Sequence, residues 1–259
     1  MELSIINAQL LEQYQLSIVD WQLEQKFEAL HDAEISTDAF SFYTSVASVF
    51  SSKIEGEEIE LDSYIKHKAM GIAFQPDYTQ KIDDLYNAYI FAKNNKLTPE
   101  NISKAHILLG KNIVETTKQG KLRTQNMYVA TDEGKIEYVA VSPYALKAEM
   151  DKWHSDVAIL LKQKMSVAEV FYYAAFIHLT FVKIHPFEDG NGRSGRLIEK
   201  WFMAQKLGAQ AWFLQSEKNY YKHHALYYTN LRRLGLEYEQ LDYTKALPFL
   251  LMLPTTFNL

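Results

Sequence analysis

Residues 185–196 read HPFEDGNGRSGR and stand between two strongly helical segments. The first segment ends with the apolar run VFYYAAFIHLTFVKI, and the second begins with LIEKWFMAQKLG. A glycine-containing loop that enters a helix turns backbone N–H groups toward one point, and the free amides of the first helical turn carry partial positive charge. The sequence therefore predicts an anion-binding loop at the start of a helix.

The charged side chains of this loop indicate which anion it would bind. Arg193 and Arg196 lie three residues apart and are expected on one face of the helix, where they supply fixed cations for polyphosphate oxygens. Asp189 would repel a polyphosphate unless it holds a divalent cation between itself and the phosphates. His185 begins the loop, and the near-neutral pKa of an imidazole suits proton abstraction. These residues predict a polyphosphate site with a metal ligand and a base.

The composition excludes several kinds of functional site. The chain has 259 residues, with 27 Lys plus Arg against 32 Asp plus Glu, a formal net charge of −5 and no cysteine. This length suits one or two domains with a large core. The lack of cysteine excludes a disulfide framework, cysteine-ligated metals and thiol catalysis. The acidic balance lacks the basic footprint of nucleic-acid binders, so we expect no nucleic-acid partner.

The sequence predicts neither a secretory signal nor a membrane span. The start, MELSIINAQLLEQ, contains an acidic residue and no basic n-region. The most apolar stretch, residues 170–184, is interrupted by His178, Thr180 and Lys183, and it falls short of the ~18 apolar residues that a span requires. We therefore expect a cytoplasmic protein without a membrane partner, in which His178 is a core histidine with satisfied hydrogen bonds.

Helix-capping residues mark the start of several helices. Ser166 and Glu169 form a capping box just before residues 170–184, so a buried helix is expected to begin there and to end near the start of the loop. Residues 98–99 and 142–143 each place a hydroxyl side chain before a proline at the first helical position. Two more helix starts are therefore predicted.

Apolar periodicity predicts further helices. They cover residues 10–30, 38–56, 82–93, 216–234 and 242–253. Thr37 or Asp38 can cap the second of these helices, and Gly56 can end it. Gly235 can end the fourth, whereas Pro248 makes the bounds of the last one hard to place.

One stretch predicts β-strands. Residues 126–141, NMYVATDEGKIEYVAV, contain two β-prone runs on either side of Asp132, Glu133 and Gly134, as in a hairpin with a short turn. No internal repeat and no Gly/Ser-rich or Pro-rich linker divides the chain. The predicted fold class is mainly α, a helical bundle with one β-hairpin.

The loop also carries a family resemblance. Residues 185–196 match, at every defined position, the signature HxFx(D/E)GNGRxxR, so the chain resembles the Fic domain family. Fic proteins are helical, and most of them transfer AMP from ATP to a hydroxyl side chain of a target protein. The resemblance thus implies a nucleotidyltransferase that uses ATP and Mg²⁺.

The resemblance assigns a role to each matching residue of the loop. His185 resembles the general base that takes the proton from a target Ser, Thr or Tyr hydroxyl, and Phe187 the anchor that fixes the loop in the core. The remaining roles are a Mg²⁺ ligand (Asp189), an anion nest (Gly190, Asn191 and Gly192), a β-phosphate contact (Arg193) and a γ-phosphate contact (Arg196). In the phosphate-transferring branch of the family a Lys stands where this chain has Gly192, so the resemblance favours nucleotidyl transfer.

A second motif lies upstream of the loop. Residues 51–56, SSKIEG, fit the pattern (S/T)xxxE(G/N), which marks an inhibitory helix in Fic proteins. The motif begins at Ser51, and Glu55 at the end of this helix can pair bidentately with Arg196, which removes the cation that would orient the γ-phosphate of ATP. In some relatives the equivalent glutamate instead orients water for the removal of AMP.

Two further regions match parts of the family. The hairpin in residues 126–141, preceded by GKLRT, resembles the flap that aligns a target segment by strand addition. The helix after the signature carries Tyr220, Tyr221 and Tyr228 together with Tyr227 and Asn230, where relatives build the adenine pocket.

The predicted organisation has three parts. They are an N-terminal helical region (residues 1–75) with the inhibitory helix, a Fic core (residues 76–215) with the flap and the loop, and C-terminal helices (residues 216–259). The leading hypothesis is an autoinhibited protein AMP-transferase that modifies a target protein, or itself, docked on the hairpin. The alternatives are a hydrolase that removes AMP with the help of Glu55, and a non-catalytic adaptor that senses a nucleotide. The oligomeric state stays open, and a homo-oligomer is compatible with the sequence.

Overall fold

The computed structural model describes residues 3–30, 39–72, 76–130 and 136–258. Within these ranges the chain is mainly α-helical and contains one two-stranded antiparallel hairpin, which confirms the predicted fold class. The large hydrophobic core draws side chains from nearly every helix. The fold is therefore a helical bundle to which the hairpin is attached.

The bounds of the elements are as follows. The α-helices are α1 (Leu11–Ser17), α2 (Leu23–Glu28), α3 (Ala39–Ile54), α4 (Leu61–Met70), α5 (Pro76–Lys93), α6 (Pro99–Leu109), α7 (Pro143–Lys162), α8 (Val167–Ile184), α9 (Asn191–Leu207), α10 (Ser216–Lys222), α11 (His224–Arg232) and α12 (Leu247–Leu250). The strands are β1 (Tyr128–Ala130) and β2 (Ile136–Val139). Short 3₁₀ turns cover Val19–Trp21, Ala209–Phe213, Tyr238–Gln240, Tyr243–Lys245 and Pro254–Asn258.

Helix α8 lies at the centre of the bundle. The predicted capping box is present, since the Ser166 hydroxyl accepts from the Glu169 amide at 3.3 Å and the Glu169 carboxylate accepts from the Ser166 amide at 2.7 Å. Fourteen of the 18 residues of α8 are buried, so the helix packs against other elements on nearly all sides. His178, Thr180 and Lys183 are its buried polar residues. By length and composition α8 also passes as a membrane span, but 78% of it is buried inside the protein, as in a core helix.

Helices α8 and α9 approach each other closely where the loop joins them. A Cβ added at Gly195 of α9 would lie 2.8 Å from both His178 Cδ2 and Val182 Cγ1 of α8, so the absence of a side chain lets the two helices pack tightly. Because α8 ends at residue 184 and α9 begins at residue 191, this packing fixes both ends of the loop between them.

Helix α3 brings the upstream motif to the start of α9. It packs against α5, α10 and α9, and it shares a small second cluster with α4 and α5 that contains Val49, Tyr64 and Tyr86. The helix ends before Gly56, whose φ of +86° stops it as predicted. The candidate caps Thr37 and Asp38 lie outside the described residues.

The hairpin is attached beside the end of α8. Its register pairs Tyr128 with Val139 and Val129 with Tyr138, and a bulge separates Val129 from Ala130. The Tyr138 hydroxyl donates to the carbonyl of Lys183 at 2.6 Å, which fixes β2 to the last turn of α8. The predicted turn around residues 132–134 lies outside the described residues.

Three predicted helices differ from the observed ones. The prediction of one helix over residues 10–30 is wrong, because Gln22 adopts a left-handed conformation (φ +52°) that separates α1 and a 3₁₀ turn from α2. The helix predicted over residues 216–234 breaks at His223, whose ψ of +35° is not helical. Residues 242–253 form a 3₁₀ turn and the short α12 around Pro248. Helix α4 was not predicted.

Candidate functional site

His185 ends α8 with its backbone in the left-handed region, at a φ of +55°. This conformation is unusual for a residue other than glycine, and it turns the chain sharply into the loop. His185 Nδ1 lies 3.2 Å from the carbonyl oxygen of Val182. Because a carbonyl only accepts, Nδ1 carries the proton, and Nε2 is left with a free lone pair. His185 lines a cavity beside the loop, which we take as the candidate site.

The environment of His185 keeps its imidazole neutral. Burial lowers the pKa of His185 from 6.5 to about 4, and the hydrogen bond to Val182 only partly offsets burial. At neutral pH the ring is therefore uncharged and able to accept a proton.

Phe187 and Asn191 close the loop on itself. The Phe187 amide donates to Asn191 Oδ1 at 2.9 Å, and Asn191 Nδ2 donates to the Phe187 carbonyl at 2.9 Å. The Phe187 ring is buried in the core and stacks on His106 with ring centroids 3.7 Å apart. Phe187 thus lies where a loop anchor is expected, and the side chain of Asn191 is engaged within the loop.

The start of α9 offers free hydrogen-bond donors. Gly190, with a φ of +78°, precedes the helix, and no side chain caps the first turn. A Cβ at Gly190 would lie 2.9 Å from Leu109 Cδ1, so the close approach to α6 also requires glycine. Arg193 Nε is buried and has no hydrogen-bond partner among the described residues. These amides and the guanidinium form a cradle suited to an anion.

All three side-chain nitrogens of Arg196 are engaged. Nε donates to Ser51 Oγ at 2.9 Å, and Nη2 donates to the Ser51 carbonyl at 3.0 Å. Nη2 also donates to Glu55 Oε1 at 2.6 Å, and Nη1 to the Tyr227 hydroxyl at 3.4 Å. The side chain of Arg196 is fully buried. The upstream motif therefore engages two of the three nitrogens through Ser51 and Glu55, and Tyr227 engages the third. Glu55 binds through one oxygen, so the expected bidentate pairing is not formed.

The charge of Glu55 is stabilised by the arginines around it. Burial acts to raise the pKa of Glu55, but the positive charges of Arg196 and then Arg193 outweigh burial and hold the pKa below its usual range. The same attraction outweighs the burial of Arg196 and raises the pKa of its guanidinium. Glu55 and Arg196 therefore form an ion pair at neutral pH.

Gly192 provides the space in which Glu55 lies. A Cβ added at Gly192 would be 2.3 Å from Glu55 Oε1 and 3.2 Å from Arg196 Nη1. No side chain fits there without displacing the carboxylate. Glu55 therefore lies directly over the first turn of α9, at the place where the free amides would bind an anion.

The second arginine of the loop also has an acidic partner. Arg193 Nη2 lies 3.2 Å from Glu57 Oε1, and Lys81 Nζ of α5 lies 2.8 Å from the same oxygen. Glu57 follows the upstream motif by one residue, and Arg193 is almost fully buried. Acids from one short segment thus pair with both arginines.

The cavity beside the loop is walled by α8, α9, the hairpin and α11. The predicted site residues that line it are His185, Gly192, Arg196, Glu55, Tyr227 and Tyr228. Tyr220 and Tyr221, both predicted in an adenine pocket, do not line it. The hydroxyl of Tyr220 donates to Glu199 inside the core at 2.8 Å, and the ring of Tyr221 packs against Phe50.

A metal ion has one candidate ligand in the loop. Among the described residues no group of three or more His, Asp or Glu side chains could hold a metal ion. Asp189 is exposed at the loop, and Mg²⁺ often binds through one or two carboxylates together with phosphates and water. The site thus fits a Mg²⁺ ion that arrives with a nucleotide, and it does not fit a metal cage made by the protein alone.

Residues 96–203 match the Fic/DOC family, and this range contains the whole loop. Over these residues, which are less than half of the chain, the sequence is recognised as a Fic/DOC domain. A segment of 113 residues is 27% identical to the protein adenylyltransferase Fic of Nematostella vectensis, and it spans 43% of this chain but only 24% of that relative. The family match therefore covers the core of the bundle, and the activity of the whole relative is a separate question.

Solved structures share the fold of this Fic domain. A Fic family protein from Desulfovibrio desulfuricans superposes with a TM-score of 0.78 at 17% identity, over 100% of this chain and 76% of that one. A Fic domain-containing signaling protein from Bacteroides thetaiotaomicron gives a TM-score of 0.67 at 18% identity, over 92% of this chain and 91% of that one. At such low identity these likenesses show the fold alone.

Several residues that shape the Fic site were not predicted. His106 Nε2 donates to the Asp189 carbonyl at 2.9 Å, and its Nδ1 accepts from the Gly120 amide at 2.8 Å. Burial lowers the pKa of His106, in keeping with a neutral ring that donates and accepts. Arg123 donates to the His185 carbonyl at 2.7 Å and to the Val141 carbonyl, so it links the hairpin to the loop. Its place within GKLRT is the one sequence signal that pointed toward it.

The protonation of His185 is testable by NMR. We expect the imidazole C–H resonances of His185 to titrate at about pH 4, against the ordinary 6.5 in the unfolded chain. Because the folded state disfavours the charged ring, its contribution to stability is fully present above pH 6.5 and is lost as pH falls through 4. A midpoint near 6.5 in the folded protein would show that burial does not control this histidine.

Proposed function

We propose that this protein transfers AMP from ATP to a hydroxyl side chain of a target protein, and that the described conformation is inhibited. The observation that carries the proposal is that the neutral His185 and the free first-turn amides of α9 lie beside the same cavity. The Fic/DOC match and a relative named protein adenylyltransferase support the same reaction.

In the proposed reaction the hydroxyl oxygen of the target attacks the α-phosphorus of ATP. The proton of the hydroxyl passes to Nε2 of His185. The bond between the α-phosphorus and the oxygen that bridges to the β-phosphorus breaks, and pyrophosphate leaves. The amides at the start of α9, with Arg193 and Arg196, would hold the phosphates in line, so the protein contributes mainly positioning and charge stabilisation.

Asp189 is the residue that would hold Mg²⁺. The ion would neutralise phosphate charge when bound. Two hydrogen bonds hold Asp189 in place. His106 donates to its carbonyl oxygen, and the Gly190 amide donates to its Oδ1 at 2.5 Å. Both the backbone and the carboxylate of Asp189 are therefore fixed at the loop.

The proposed inhibition follows from the contacts of Glu55. A carboxylate that occupies Nη2 of Arg196 removes a donor from the terminal phosphate of ATP, and its negative charge repels the triphosphate. Ser51, in the last turn of α3 just before Glu55, strengthens this arrangement, because it binds Arg196 with its hydroxyl and its carbonyl. Release would require this segment to move or Glu55 to turn away.

The hairpin is the proposed docking element for the target. Val129 and Tyr138 of its two strands line the same cavity as His185. An extended target segment that pairs with the hairpin would run past His185, and main-chain hydrogen bonds would supply most of the affinity. This arrangement would align a hydroxyl with the base without selecting strongly for neighbouring side chains.

Incubation with ATP labelled at the α-phosphate tests the activity and the inhibition together. We expect Glu55→Gly to raise protein labelling by about tenfold to a hundredfold, because hydrogen bonds to charged groups contribute ~1.5–3 kcal/mol. His185→Ala should abolish labelling in either background. Glu58→Gln, which changes an exposed acid in the same segment, is the matched control and should leave labelling unchanged.

Three outcomes would contradict this proposal. Equal labelling by the wild type and by Glu55→Gly would show that Glu55 does not inhibit the reaction. Release of AMP from a modified protein that depends on Glu55 would indicate the hydrolase instead. ATP binding without any covalent product in either protein would indicate the adaptor.

Glu57 is expected to contribute a second, weaker restraint. Glu57→Gln removes the negative charge beside Arg193 and should raise labelling of the Glu55→Gly protein a further twofold to fivefold, since the pair is partly exposed. The measurement is the rate of labelling for the single and double variants at subsaturating ATP. If the double variant labels no faster than Glu55→Gly, the pairing of Glu57 with Arg193 has no part in inhibition.

A further inference from the structure

A chain of buried hydrogen bonds reaches Arg196 at Nη1, whereas Glu55 binds Nη2. The Tyr227 hydroxyl accepts from Arg196 Nη1 at 3.4 Å and lies 3.1 Å from His178 Nε2. His178 Nδ1 lies 2.8 Å from Glu199 Oε2. All four side chains are buried, and they come from α8, α9 and α11. The proposed reaction has so far assigned no role to Tyr227, His178 or Glu199.

The direction of these hydrogen bonds follows from their two ends. Arg196 can only donate, so the Tyr227 oxygen accepts from it. The carboxylate of Glu199 accepts, so His178 Nδ1 donates, which leaves Nε2 of a neutral ring as an acceptor for the Tyr227 O–H. Every link then pairs a donor with an acceptor. A doubly protonated His178 would instead place a donor on Nε2 and leave the Tyr227 proton without this partner.

This chain differs from the other contacts of Arg196 because it does not involve the inhibitory segment. Ser51 and Glu55 both belong to the segment that would have to release the arginine. Tyr227 lies on α11, and its ring packs against Tyr220 and Phe249 in the core. Its hydroxyl therefore stays in place when Glu55 is gone.

We propose that Tyr227, oriented by His178 and Glu199, is a positioning residue that keeps Arg196 aimed at the terminal phosphate of ATP once Glu55 leaves. The inference rests on the proposed function of the site. A buried guanidinium that loses its carboxylate partner is free to change rotamer or to draw in water. A hydroxyl that donates toward His178 and Glu199 is polarised, so it becomes a better acceptor for the remaining N–H group.

The test is nucleotide binding, measured by calorimetry on the His185→Ala, Glu55→Gly protein, which cannot turn ATP over. Adding Tyr227→Phe removes one hydroxyl and keeps the ring. We expect it to weaken ATP binding about fivefold, the effect of one hydrogen bond, and to leave AMP binding unchanged because AMP lacks the phosphate that Arg196 would hold. Glu199→Gln should weaken ATP binding in the same direction by a smaller factor.

Tyr172→Phe is the matched control for loss of a buried hydroxyl. Tyr172 is fully buried in α8, and its hydroxyl donates to the Asn7 carbonyl at 2.9 Å, away from Arg196. It should reduce thermal stability without changing the affinity for either nucleotide. Similar losses of ATP affinity in Tyr227→Phe and Tyr172→Phe, or equal losses for ATP and AMP in Tyr227→Phe, would overturn the positioning role.

The outcomes also separate this inference from the proposed function. If the parent protein binds ATP no more tightly than AMP, Arg196 holds no phosphate, and the inference falls with that assignment. If the parent prefers ATP and Tyr227→Phe reduces this preference, the positioning role stands even where no target protein is labelled.

Discussion

The ion pair between Arg196 and Glu55 is the contact on which the account of this site depends. It joins the end of α3 to the second turn of α9 through a 2.6 Å hydrogen bond, and it lies where we propose that a triphosphate binds. A buried guanidinium is costly unless it is paired, so some acceptor must occupy it in every state of the protein. In the described conformation the acceptor is a carboxylate. In an active one we propose that it is a phosphate, held with the help of Tyr227.

Contacts elsewhere in the fold fix the two ends of the loop that joins α8 to α9. The lack of a side chain at Gly195 lets α8 and α9 pack closely, and Gly192 leaves room for a carboxylate or a phosphate over the first turn of α9. His106 and Arg123 hold the loop from outside by its carbonyl groups. Catalysis by positioning requires such rigidity, because small displacements of the reacting groups reduce the rate strongly.

The sequence predicted the helical fold, the hairpin and the loop because each carries a local signal: the capping box at Ser166, two β-prone runs, and the glycines around Asn191. It predicted Glu55 opposite Arg196 through a motif. It could not predict Glu57, His106 or the chain from Arg196 to Glu199, because these contacts join residues distant in sequence and depend on tertiary packing. The helix break at Gln22 was also not predictable, because the apolar periodicity continues across it.

The most direct test compares the affinities of ATP and AMP for the inactive His185→Ala protein with Glu55 present and with Glu55→Gly. If the carboxylate and the terminal phosphate compete for Arg196, the substitution tightens ATP binding by at least about tenfold, or ~1.4 kcal/mol, and leaves AMP binding unchanged. An equal change for both nucleotides, or no change for ATP, would contradict the competition and with it the central role given to this ion pair.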